Sequence, residues 1–112
     1  MDPSAPVFQK CYDFYRILYQ NLRQVSKQDR FTWGERCDEQ ALELLTLATK
    51  ASFAATTKKD ALLGKAIEGI DMLRIYLRLG YDLKILDRKK CLERQKELNE
   101  IGVDFGAWRK SL

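Results

Sequence analysis

The chain has 112 residues, of which 46% are hydrophobic and 32% charged, with a formal net charge of +4. This length corresponds to one domain, and the composition is typical of a folded, helix-rich protein. No apolar run approaches the roughly 20 residues of a membrane-spanning helix, and the N-terminal residues do not have the pattern of a signal peptide. Together with three widely spaced cysteines, which are typical of buried thiols in a reducing compartment, these features predict a cytoplasmic protein with no membrane partner.

The first helix is predicted over residues 5–26, after a disordered arm at residues 1–4. Ser4 is the expected N-cap, and Pro6 lies in the first turn, where proline is tolerated. One apolar stripe predicts the core face: Val7, Cys11, Phe14, Leu18, Leu22 and Val25. A second, aromatic row runs beside it: Phe8, Tyr12, Tyr15 and Tyr19. This row either lies at the core boundary with its hydroxyls in water or forms a subunit interface, and the pattern leaves both interpretations open.

The second helix is predicted over residues 32–55, because Thr32 and Glu35 have the spacing of a capping box. Its core residues would be Cys37, Ala41, Leu44, Leu45, Ala48 and Ala51. A third helix is predicted over residues 57–83, capped by Thr56 or Thr57. Apolar residues recur along it at steps of three and four: Leu62 or Leu63, Ala66 or Ile67, Ile70, Leu73, Leu77 and Tyr81.

The fourth helix is predicted over residues 87–111, with Asp87 as its cap. Its apolar residues are Leu98, Ile101, Phe105, Trp108 and Leu112. Gly102 and Gly106 lie on one face, where a missing Cβ would let another helix come close. Four helices with short connections predict an all-α fold, a single antiparallel up-down-up-down four-helix bundle over residues 5–112.

The residues that most enzymes use for acid–base chemistry are scarce. The chain has no histidine, which removes the usual general base and the commonest metal ligand. The cysteines lack the close spacing of a zinc site. We therefore expect no catalytic residues, no metal and no other cofactor. An enzyme that uses carboxylates inside the bundle is a weaker hypothesis, since its Asp and Glu residues would need raised pKa values.

Basic residues cluster where the third and fourth helices meet in a hairpin. The predicted nucleic-acid-binding residues are Arg74, Arg78, Lys84, Arg88, Lys89, Lys90 and Arg94, with Lys96 two residues further along. Such a surface can neutralise phosphates in a salt-sensitive manner. It can equally be a solvated surface that Asp87, Glu93 and Glu97 balance. A cyclic oligomer would repeat the cluster around a ring and strengthen its field.

Two sequence blocks resemble a known family. One is RFTWGER at residues 30–36, and the other combines LRIYLRL at residues 73–79 with EIGVDFGAW at residues 100–108. These blocks are similar to the accessory variability determinant (Avd) proteins of diversity-generating retroelements. More broadly, they resemble the small four-helix-bundle proteins encoded in ribosomal RNA intervening sequences.

The resemblance implies a homopentameric barrel with a positively charged surface. Such a barrel would associate with the element's reverse transcriptase and with template RNA or DNA. It would support mutagenic cDNA synthesis and retrohoming without being the catalyst. The family's basic residues would correspond here to Arg74, Arg78, Lys84, Arg88, Lys89 and Lys90. The alternative is an oligomeric scaffold or adaptor of the intervening-sequence type, with no nucleic-acid role.

Overall fold

Helices account for most of residues 2–112, the part of the chain that the computed structural model describes. Helix α1 spans Ser4–Leu22. Helix α2 is continuous and has three segments, Lys27–Asp29, a π-helical turn at Arg30–Gly34, and Glu35–Phe53. Helix α3 spans Thr56–Asp82, and helix α4 spans Arg88–Lys110. Within this range there is no strand, so the predicted all-α class is confirmed, whereas Met1 of the predicted arm lies outside the described residues.

Consecutive helices pack side by side, and α4 closes the bundle against α1. The contacts join opposite ends of neighbouring helices. Lys10 Nζ near the start of α1 lies 2.6 Å from Asp104 Oδ2 near the end of α4, and Trp33 Nε1 in α2 donates to the carbonyl of Tyr76 late in α3 at 2.7 Å. The helices are therefore antiparallel, in up-down-up-down order, in a body of 42 × 22 × 19 Å.

The core consists mainly of the predicted stripes. On α3 the sequence pattern allowed Leu62 or Leu63, and Ala66 or Ile67, as core residues. The structure buries Leu63 and Ala66. Tyr81 and Leu112 are exposed, contrary to prediction. Gly80 takes the core position next to Tyr81, because its missing side chain makes room for the Trp33 ring, and Leu112 follows the end of α4.

Several predicted helix starts are wrong. Helix α1 includes Ser4 and is preceded by Pro3 as N-cap. Helix α2 begins at Lys27, because Ser26 Oγ accepts a hydrogen bond from the backbone N–H of Asp29 at 3.2 Å. Thr32 is not a cap, since it lies inside the π-helical turn and its hydroxyl donates to the carbonyl of Gln28 at 3.0 Å.

The later helices differ less from expectation. Helix α3 begins at Thr56, and its N-cap Ala55 makes no side-chain hydrogen bond, so neither threonine acts as the predicted cap. Helix α4 begins as predicted after Asp87, whose carboxylate accepts from the backbone N–H of Lys90 at 2.8 Å. No helix within residues 2–112 is long and apolar enough to cross a bilayer.

The two glycines of α4 have different surroundings. A Cβ at Gly102 would lie 3.4 Å from Nη2 of Arg74, so this glycine faces a close neighbour on α3, as expected. A Cβ at Gly106 would meet nothing within 4 Å. The prediction that both glycines permit close helix packing is therefore wrong for Gly106.

Candidate nucleic-acid interface

The connection between α3 and α4 fixes the position of Lys84. Its φ of 62° is the only positive value among the non-glycine residues of the described chain. The backbone N–H of Lys84 donates to the carbonyl of Tyr81 at 3.0 Å, and that of Ile85 donates to Gly80 at 2.8 Å. This is the Schellman pattern, in which glycine usually takes the left-handed position. The connection therefore holds the Lys84 backbone in one conformation at the end of the bundle.

The first turn of α4 adds three more cations. Arg88 and Lys89 are exposed, whereas Lys90 is partly buried. The ammonium of Lys90 donates to Oε1 of Gln24 and lies 3.8 Å from the Asp87 carboxylate. Lys90 thus links the start of α4 to the end of α1.

Arg78 projects from the last turns of α3 toward the same end. Its side chain is 83% exposed, and its Nε lies 3.9 Å from Asp82 Oδ2. An exposed ion pair of this length contributes little. An incoming phosphate could therefore replace Asp82 at low free-energy cost.

Arg94 lies apart from these residues. Its side chain is 4% exposed and donates twice to the Glu97 carboxylate, at 2.7 and 2.9 Å. It also donates to Oδ1 of Asn21 on α1 at 2.7 Å. The bidentate pair with Glu97 lies within α4, whereas the bond to Asn21 joins α4 to α1, so the Arg94 guanidinium is engaged inside the bundle.

Arg74 also lies away from the end of the bundle. It is partly buried on the α3–α4 face, beside Gly102. Among the described residues its Nε is a buried nitrogen without a hydrogen-bond partner. The structure therefore brings together five of the seven predicted binding residues, which we call the basic corner: Arg78, Lys84, Arg88, Lys89 and Lys90.

Three further cations lie at the same end and were not predicted: Arg23, Lys27 and Arg30, all exposed. Arg23 lies in the connection between α1 and α2, and Lys27 and Arg30 lie in the first turns of α2. The up-down-up-down order places this connection beside the one between α3 and α4, and that order was the signal that could have identified them. The link from Lys90 to Gln24 joins the two connections directly.

Charge is unevenly distributed along the bundle. Residues 22–30 hold three basic and one acidic residue, and residues 78–90 hold five basic and two acidic residues. This end therefore carries +5, which exceeds the +4 of the whole chain. All other residues together carry −1, so the positive field is strongest at the end that contains the basic corner.

The predicted aromatic row on α1 divides into two kinds of residue. Tyr12 and Tyr19 are 44% and 45% exposed, while Phe8 and Tyr15 are partly buried. The Tyr15 hydroxyl donates to Asp38 Oδ1 on α2 at 2.7 Å. Burial, together with this hydrogen bond, raises the pKa of Tyr15 to about 12. The Tyr15 hydroxyl is thus engaged by another helix of the same chain. The outward surface of the row comes mainly from Tyr12 and Tyr19.

A second apolar surface lies on α3 and was not predicted. Ile75 and Leu79 on α3, and Leu83 directly after its last residue, are exposed at intervals of four residues, so they form one stripe along this side of the bundle. Phe31, exposed on the π-helical turn of α2, lies across a groove that Leu79 also lines. We call Ile75, Leu79 and Leu83 the α3 stripe. The four-residue spacing was visible in the sequence, but it was outweighed by the stronger core stripe of the same helix.

The described residues hold neither a preformed metal site nor an activated thiol. Residues 2–112 contain no group of three His, Cys, Asp or Glu side chains placed to hold a metal ion. Cys11, Cys37 and Cys91 are buried free thiols. Burial raises the pKa of Cys11 and of Cys37 to about 12, so these thiols are protonated and weakly nucleophilic at neutral pH.

By its fold and its charge distribution, this protein is a small all-α bundle with a strongly basic end. The chain belongs to the bAvd-like family, whose family model matches residues 7–112. The resemblance to Avd proteins of diversity-generating retroelements is thereby confirmed over nearly the whole chain. Comparison with curated proteins and comparison with solved structures give no match.

Proposed function

We propose that this protein is a non-catalytic accessory subunit of a diversity-generating retroelement. In this role it binds template RNA or DNA through the basic corner and associates with the reverse transcriptase during mutagenic cDNA synthesis and retrohoming. Family membership supports the accessory role. The observation that carries the binding proposal is the net charge of +5 at one end of a chain of net charge +4. Three free, buried thiols are typical of a reducing compartment, so we place this activity in the cytoplasm.

The basic corner would act by neutralising phosphates. Each ammonium or guanidinium that pairs with a phosphate releases a condensed counterion. With a single strand, contacts from all five residues would give a slope of about −3.5 in a plot of log K against log salt concentration. Binding of this kind depends weakly on sequence, because phosphates carry no base information.

The test is a charge reversal at the basic corner with a matched reversal elsewhere. Arg78→Glu with Lys89→Glu should lower the affinity for a single-stranded oligonucleotide at least tenfold and flatten the salt dependence, since two phosphate contacts become repulsive. The control, Lys58→Glu with Lys110→Glu, makes the same change in net charge at the opposite end of the bundle. Fluorescence anisotropy measures binding, and circular dichroism checks that helicity is unchanged. Equal losses in both variants would contradict a localised site.

We also propose that the protein assembles as a homopentameric ring. A ring needs two different surfaces on each copy, because its interfaces are heterologous. The aromatic row of Phe8, Tyr12, Tyr15 and Tyr19 is one such surface, and the α3 stripe is the second. In the ring, each of these surfaces contacts a neighbouring copy of the chain. The ring would repeat the basic corner five times around its axis and raise the local field.

An oligomeric scaffold that contacts only proteins is the second candidate function. The exposed α3 stripe favours it, since contiguous apolar surface commonly marks a protein interface. This candidate predicts a ring that has no affinity for oligonucleotides at physiological salt. The anisotropy titration of the wild-type protein therefore separates the two functions.

A further inference from the structure

A groove of about 340 Å³ lies between the end of α1 and the connection from α3 to α4. Tyr81, Lys84 and Lys90 line it from one side, and Asn21 at the end of α1 and Gln24 just after it line the other side. Its volume falls at the lower end of the range for small-ligand sites. The groove therefore combines one aromatic ring, two cations and two amides within the positively charged end of the bundle.

The tyrosine ring is available at this surface for a structural reason. Gly80 takes the buried position in the last turn of α3, against Trp33. Tyr81 consequently points outward and is 45% exposed. An exposed aromatic face is the kind of platform on which an unpaired base stacks.

The two cations of the groove extend from defined backbone positions. Lys84 occupies the left-handed position of the Schellman turn. Lys90 lies in the first turn of α4 and donates to Oε1 of Gln24. The NH2 group of the Gln24 amide can therefore donate to a base. Asp87 also lines the groove, but its Oδ1 accepts from the backbone of Lys90. Two ammonium groups thus face one partly neutralised carboxylate.

We propose that this groove binds an unpaired nucleotide of a single strand of RNA or DNA. The base stacks on Tyr81, and the flanking phosphates lie on Lys84 and Lys90. The inference rests on the proposed nucleic-acid function and adds the class of ligand, because a base inside a duplex already has both faces covered. The protein should therefore prefer a single strand to a duplex of equal length.

The experiment compares Tyr81 variants with two nucleic acids, an oligothymidylate of fifteen residues and a hairpin duplex of the same charge. Tyr81→Ala should weaken single-strand binding about tenfold or more, as expected for loss of one stacked base, and should leave duplex binding unchanged. Tyr81→Phe keeps the ring and should bind as the wild type does. Phe53→Ala removes an aromatic side chain that is 88% exposed at the opposite end, and it should have no effect.

A positional readout accompanies the affinities. A single strand that carries 5-iodouridine should form a photochemical crosslink to Tyr81, located by mass spectrometry of the digested adduct. If Tyr81→Ala binds the single strand as well as the wild type does and the crosslink maps elsewhere, the stacking site is wrong. The basic-corner reversal then decides the wider proposal separately, since it can still abolish binding. A wild-type protein that binds neither nucleic acid would overturn both proposals.

Discussion

Trp33 lies against Gly80, and this contact joins the start of α2 to the end of α3. A Cβ built on Gly80 would lie 2.3 Å from Cζ2 of Trp33, well inside contact distance. The indole also donates to the carbonyl of Tyr76 at 2.7 Å, so the ring cannot shift without losing a hydrogen bond. One glycine thus determines where a large side chain is buried.

Gly80→Ala should therefore destabilise the protein by about 1–3 kcal/mol, the usual cost of overpacking, although alanine favours helix by about 1 kcal/mol. Gly106→Ala is the matched control. Its Cβ would meet nothing within 4 Å, so it should stabilise α4 by about 0.5–1 kcal/mol. Urea denaturation measures both changes. Two stabilised variants would show that the Trp33 contact is loose.

Two buried thiols and the partly buried Tyr15 hydroxyl determine how the stability of the protein changes at alkaline pH. Burial raises the pKa of Cys11 and Cys37 from 9.0 to about 12, and burial with the Asp38 hydrogen bond raises that of Tyr15 from 10.0 to about 12. The folded protein then keeps protons that the unfolded chain releases. The stabilising contribution is complete below pH 9 and is lost as the pH rises toward 12.

We expect the urea midpoint to fall steadily between pH 9 and pH 11. Tyr15→Phe removes the Tyr15 contribution, so its midpoint should fall less steeply above pH 10 than that of the wild type. Denaturation monitored by circular dichroism at a series of pH values measures this. A midpoint that rises over the same interval would show that the sign is wrong.

At the scale of single elements, the turn between α3 and α4 contains a local strain. Lys84 has φ 62°, and a side chain in the left-handed region costs roughly 1–2 kcal/mol. Lys84→Gly should therefore stabilise the protein by about 0.5–1 kcal/mol after the extra backbone entropy of glycine is counted. Lys96→Gly, at an exposed position inside α4, should instead cost about 1 kcal/mol. Thermal denaturation distinguishes the two, and equal losses would mean that the Lys84 backbone is unstrained.

The helix starts show which local signals were readable from sequence. Asp87 was predicted correctly, because a single side chain capable of capping precedes the periodic segment. Thr32 was predicted wrongly, because the spacing of Thr32 and Glu35 occurs inside a helix as readily as at its start. The true cap, Ser26, has Asp29 at the same spacing.

At the scale of the whole molecule, the proposed pentameric ring predicts the mass of the protein in solution. Tyr12→Glu and Tyr19→Glu each place a charge on the outward surface of the aromatic row, and we expect each to yield monomers. Tyr15→Glu is a poorer test, because its carboxylate would face Asp38 within the same chain. Light scattering should give five times the protomer mass for the wild-type protein.

The control for the ring is Phe53→Glu, which charges another exposed aromatic position outside both proposed interfaces and should leave the mass unchanged. Leu79→Glu, on the α3 stripe, should produce monomers as the α1 variants do. A ring that survives the changes on α1 and on α3 would overturn the assignment of both surfaces.

Sequence predicted the bundle well because periodicity reports burial on one helix at a time. It predicted the cations of the basic end less well because their grouping depends on contacts between helices. Arg94 was grouped with exposed cations, and only its partner Asn21, 73 residues away, explains its burial. Arg23, Lys27 and Arg30 were missed for the complementary reason. They join the basic end through topology rather than through proximity in sequence.

The π-helical turn of α2 has a consequence for the evolution of this family. A π turn contains one residue more than an α turn, so a deletion within residues 30–34 could be absorbed by local rewinding to α-helix. The same deletion within Glu35–Phe53 would rotate all following residues by about 100° and turn the core stripe toward solvent. Family members that differ in the length of α2 should therefore differ by one residue within this turn. In an alignment, this difference would be a single-residue gap.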